Sequence, residues 1–150
     1  PAVKLHGQLS VAVRNIWMKR LGTSDVCTVL QKNTNFESPS ALVAHLSATC
    51  RHLGVLQGEG SIDHIIAQAW YDFNDLDEVK RCWDPSNVRV VATSSENKKK
   101  HKSLDAELLQ SVSASAFPKA FSRAIFIAAA SKDGGKDLYS LYSLNKTQHA

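Results

Sequence analysis

The chain has 150 residues, of which 43% are hydrophobic and 21% charged, and it carries a net charge of +4. That length suits one domain able to bury roughly two thirds of its unfolded surface, and the composition excludes both wholesale disorder and a disulfide scaffold. Cys27, Cys50 and Cys82 are odd in number and sit in apolar or helical surroundings, which predicts reduced thiols and an intracellular setting, cytoplasmic, nuclear or within a virion.

No run approaches the ~20 apolar residues that span a bilayer, and the first residues lack the apolar core of a signal peptide, so no membrane is expected. The charge is unevenly placed. Residues 1 to 58 carry six basic and two acidic side chains, residues 59 to 84 two and seven, and residues 85 to 150 ten and five. A basic, acidic, basic order of this kind can pair within one chain or between neighbouring copies.

In chain order, Leu9, Ala12, Val13, Ile16, Trp17 and Leu21 recur at steps of three and four and predict a helix from Gln8 to Leu21, stopped by Gly22. Thr23, Ser24 and Asp25 cap a shorter helix through Leu30, which ends in the polar turn Lys32 to Asn35. Ser38 followed by Pro39 is an N-cap with proline in the first helical position, and the apolar stripe from Leu42 to Leu53 then runs to Gly54.

After Gly58 and Gly60, Ser61 is read as the cap of a helix turning Ile62, Ile65, Ile66, Ala69, Trp70 and Phe73 inward, with a further turn over Leu76 to Trp83. Asp84 to Asn87 form a turn. Val88 to Thr93 is β-branched and predicts a strand, with residues 2 to 5 or the C-terminal tail as its partner. Ser94 to Ser103 is a basic loop.

Ser103 is expected to cap a helix bearing Leu104, Leu108, Leu109 and Val112, and Pro118 to kink it or begin another. Residues 119 to 131 are apolar nearly all round, which predicts a central buried helix ended by the paired glycines. Residues 136 to 150 repeat Leu-Tyr-Ser and are read as an extended arm. The fold expected is mainly α, a single-domain bundle of about six helices with one short strand near 88–93.

Lys98, Lys99, Lys100 and Lys102 place four lysines within five residues, a positive surface that phosphates can approach from any side. Arg89, Lys119 and Arg123 are candidates to extend it. The acidic stretch at Asp72 to Glu78 fails the calcium-loop pattern, because Leu76 falls where an oxygen ligand is needed. No Cys or His pair has zinc spacing, no glycine cluster matches a phosphate loop, and no serine lies in a nucleophile elbow, so neither cofactor nor metal is expected.

Pro1 resembles the N-terminal proline of the tautomerase group, but that group's repeated β-α-β pattern is not evident. These observations favour a self-associating, non-enzymatic helical protein of nucleocapsid, coat or architectural type. It would bind nucleic acid, RNA before DNA, through the phosphate backbone. Leu138, Tyr139, Leu141 and Tyr142, with Asp75, Asp77 and Glu78, are the candidate contacts between copies in a homo-oligomer. A monomeric helical adaptor that binds another protein is the alternative.

Overall fold

A computed structural model describes residues 2–19, 24–92 and 103–148, with side chains left out at 24–27, 147 and 148. It is mainly α with one short antiparallel strand pair. Helix α1 spans Ala2–Trp17 and buries Ala2, Leu9, Ala12, Val13, Ile16 and Trp17. It begins six residues before the predicted start at Gln8, because the apolar stripe already runs through Ala2 and Leu5. Residues 2 to 5 are therefore helical and pair with no strand.

Helix α2 spans Ser24–Asn33. Its last carbonyls are met by side chains, Asn33 Nδ2 donating to Val29 O at 2.9 Å and Thr34 Oγ1 to Leu30 O at 2.7 Å. Helix α3, Pro39–Cys50, starts on the Ser38 cap, whose hydroxyl accepts from Ala41 N at 3.0 Å. Leu42, Leu46 and Cys50 face the core.

Strand β1, Ser61–His64, pairs antiparallel with β2, Val88–Val91, in the register Ser61 with Val91, Ile62 with Val90, Asp63 with Arg89 and His64 with Val88. This overturns the helix predicted from Ser61. Isolated strands leave their polar backbone unpaired, and Val88 to Val91 takes residues 61 to 64 as its partner. Gly60 leads into β1 at φ +78, where a Cβ would lie 2.6 Å from Val91 O, so only glycine fits.

The backbone of β2 is bonded on its other side by α3, where His45 Nε2 donates to Val88 O at 2.8 Å and Thr49 Oγ1 accepts from Val90 N at 3.0 Å. Two side chains one helical turn apart thus do the work of a third strand. Asn87, fully buried, locks the strand entry. Its Oδ1 accepts from Ile66 N at 2.7 Å, and its Nδ2 donates to Cys82 O at 3.0 Å and to Ile66 O and Tyr71 Oη at 3.3 Å each.

Helix α4, Leu76–Cys82, is capped by Asp75. Helix α5 is a single turn, Ala106–Leu109, capped by Asp105 through Glu107 N and Leu108 N rather than by Ser103. Helix α6 spans Arg123–Asp133, begins on Ser122, and turns only Phe126 fully inward, leaving Ile125 47% exposed. The central buried helix predicted over 119–131 is therefore a shorter surface helix, since its alanines are too small to demand burial on every side.

Helix α7, Lys136–Gln148, replaces the expected extended arm. A three-residue repeat is close enough to the 3.6-residue turn for Tyr139 and Tyr142 to share one face. They meet Trp70, with ring centroids at 4.9 and 6.1 Å. The core below holds Trp17, Trp70, Trp83 and Tyr71, and Tyr71 donates to Ala116 O at 2.8 Å.

Candidate nucleic-acid interface

Lys98, Lys99, Lys100 and Lys102 lie outside the described residues. The described residues stop at Ala92, one past the end of β2, and resume at Ser103. The other expected cations fall on separate elements. Arg89, on β2, donates from Nε to Asp63 Oδ2 at 2.9 Å, with side-chain exposures of 20% and 8%. Lys119 Nζ sits 2.6 Å from Asp75 and 3.3 Å from Asp77, at the start of α4. Arg123 donates from Nη2 to Gln110 O at 3.2 Å and lies over the Phe117 ring at 5.8 Å.

Lys119 therefore joins the acidic segment. Its hydrogen bond to Asp75 raises the ammonium above its ordinary value and holds the Asp75 carboxyl below its own. Asp77 is lowered mainly by its hydrogen bond to Arg81, at 3.0 Å. Glu78 is buried, which pushes its carboxyl up, although it accepts from Lys119 N at 3.1 Å and Asp72 N at 3.4 Å. The three acids expected to face another copy are thus engaged within the chain.

The expected tail contacts divide in the same way. Leu138, Tyr139 and Tyr142 pack into the core, whereas Leu141 stays 52% exposed and Leu144 59%. Tyr142 Oη is buried, with no hydrogen-bond partner among the described residues. Burial is also the main reason its phenol is raised to about 12.

A cavity of about 350 Å³ opens beside the sheet. Its polar lining is Asp63, His64, Arg89, Ser103 and Asp105, and its apolar lining is Ile65, Leu104, Ala106, Leu108 and Ala130. Ser103, where the described residues resume after the lysine segment, is part of this lining, as is Arg89 of β2. Asp63 and His64 are buried, while Ser103 and Asp105 are exposed at the rim.

His64 Nδ1 lies 2.9 Å from Cys82 O and must carry the proton there, since a carbonyl only accepts. Burial lowers its pKa to about 4, more than that hydrogen bond raises it, and His6 adds to the lowering. The ring is therefore neutral at neutral pH, with its lone pair on Nε2.

Sequence reasoning missed Asp63, His64, Ser103 and Asp105 as a group. No local signal groups them, since Asp63 faces Arg89 only through a strand pairing with residues that read as helix. Among the described residues, no group of three His, Cys, Asp or Glu side chains could hold a metal, and no helix is long and apolar enough to cross a membrane. Cys50 and Cys82 are buried free thiols. No known protein family, curated protein or solved structure matches the chain.

Proposed function

We propose that this protein binds nucleic acid through the phosphate backbone, as a nucleocapsid, coat or architectural subunit does, with single-stranded RNA as its main ligand. The observation that carries the reading is the run of four lysines within five residues, Lys98, Lys99, Lys100 and Lys102. Four positive charges so close together in sequence suit a backbone of phosphates.

Arg89 belongs to this site as a paired residue, its Nε committed to Asp63. Lys119 and Arg123 are better assigned to holding α4 and α6 in place. The buried free thiols of Cys50 and Cys82 support a reducing compartment.

Fluorescence anisotropy of a labelled single-stranded RNA against wild type and a variant with Lys98, Lys99, Lys100 and Lys102 all changed to glutamine tests the reading. Affinity is expected to fall at least tenfold, with a shallower dependence on salt. Unchanged affinity and slope would remove the lysines from the interface.

The exposed Leu141 and Leu144 on α7 favour a role in self-association, and a heterologous partner at the same face is the second reading. Light scattering separates the two. Growth in mass when RNA is added, lost in the double variant Leu141→Ser and Leu144→Ser, supports assembly. A strict monomer in both states supports the adaptor.

A further inference from the structure

We infer that a second, smaller cavity, between the end of α2 and α4, takes one phosphate group of the bound strand, an inference that rests on the nucleic-acid reading above. Its lining is Lys32, Asn33, Thr34, Asn35 and Lys80. Two cations distant in sequence thus share one concavity with neutral polar side chains and no carboxylate.

Size limits what can enter. The cavity is about 100 Å³, well under the ~300 Å³ at which small-molecule pockets begin, so it admits a small tetrahedral anion and excludes a nucleobase with its sugar.

The balance of charge favours an anion. Neither lysine has an acidic partner among the described residues, whereas Lys119 pairs with Asp75 and Lys132 with Asp137. The acid bonded to the lining is Asp84, whose Oδ1 accepts from Asn35 Nδ2 at 3.2 Å and whose Oδ2 accepts from Ser86 N and Oγ at 3.1 and 2.6 Å. The negative end of α2 adds about half a charge. Two full positive charges exceed these together.

Donors complete the lining. The carbonyls of Val29 and Leu30, which would repel an anion, are taken up by Asn33 Nδ2 at 2.9 Å and by Thr34 N and Oγ1 at 3.0 and 2.7 Å. Asn33 and Asn35 each commit one amide hydrogen within the chain and keep a second for a phosphate oxygen.

The polymer is the source that suits such a site. Both lysines are exposed, so water screens their hold on a free ion. A phosphate carried by a bound strand arrives at a raised effective concentration.

The test measures affinity for a labelled single-stranded RNA across a salt series. Wild type is compared with the cavity variant Lys32→Gln with Lys80→Gln, and with the control Lys4→Gln with Lys136→Gln, exposed lysines on α1 and α7 that do not line the cavity. Both variants lose two charges, so an effect of net charge alone moves them equally. Circular dichroism confirms that each is folded, and inorganic phosphate is titrated in parallel against the side-chain amide NMR signals of Asn33 and Asn35.

The cavity variant is expected to bind RNA at least about threefold more weakly than the control, with a logarithmic salt slope shallower by about 0.7, the value of one phosphate on a single strand. Equal affinity and slope in the two variants would overturn the inference while leaving RNA binding intact. If inorganic phosphate then saturates the two amide signals at millimolar concentration, the ligand of the cavity is free phosphate instead. Failure of wild type to bind RNA at low salt would overturn the nucleic-acid reading itself.

Discussion

Arg89 and Asp63 stand directly opposite each other in the strand pair, with Nε and Oδ2 2.9 Å apart. The ion pair forms part of the cavity lining and ties β2 to β1. Asp63 is nearly buried, so removing that partner is costly.

Replacing Arg89 with methionine should therefore cost about 3–5 kcal/mol, the penalty of a buried carboxylate stripped of its cation. Combining Arg89→Met with Asp63→Leu should recover part of that loss. Urea unfolding of the single and double variants measures both, and a harmless single variant would show that the pair does not secure the sheet.

Asn87 satisfies backbone groups on two neighbouring segments, at Ile66 and Cys82, from a fully buried position. Asn87→Ala leaves them unpaired at once and should cost about 2–4 kcal/mol by the same unfolding measurement. Asn87→Asp should be no better, because a carboxylate cannot donate to Cys82 O.

Stability should fall in mild acid because of His64. Its folded pKa, about 4, lies below the ordinary 6.5, so the stability it contributes is complete above pH 6.5 and is lost as pH falls toward 4. The full loss is about 3 kcal/mol. His6, also lowered by burial, acts in the same direction. Thermal melting from pH 7.5 to 4 should show a steep decline in wild type and a flatter one in His64→Gln, whereas equal slopes would contradict the assignment.

Tyr142 carries a buried hydroxyl that makes no hydrogen bond among the described residues. Tyr142→Phe should accordingly cost nothing and gain up to about 1 kcal/mol, since it keeps the ring against Trp70 and removes an uncompensated polar group. A clear loss in melting temperature would show that the hydroxyl is engaged.

The sequence was most legible where the signal is local. The Ser38 cap with Pro39 and the β-branched run from Val88 each favour their own backbone; the cap is present as read, and the strand, read over Val88 to Thr93, spans Val88–Val91, with Thr93 outside the described residues. Residues 61 to 64 were illegible for the opposite reason. Ser-Ile-Asp-His alternates like a strand, but Ile62, Ile65, Ile66, Ala69 and Trp70 also fall at helical spacing, and the choice is made by Val88 to Val91, distant in sequence. The tail was misread because an exact triplet repeat hides a helical face.

The site was legible in part. The lysine segment stands out in composition, but the fate of Arg89 and Lys119 depends on acids that only the tertiary fold brings near them. Asp63 and Asp105 come from different regions of the chain, and no local pattern announces that they share a cavity with Arg89.

The most direct measurement is the affinity of the wild-type protein for a mixed-sequence single-stranded RNA across a salt series. Four lysines that neutralise phosphates predict a logarithmic slope near −3, at about −0.7 for each phosphate on a single strand, with little change between RNA sequences of equal length. No binding at low salt, or binding indifferent to salt, would contradict the account.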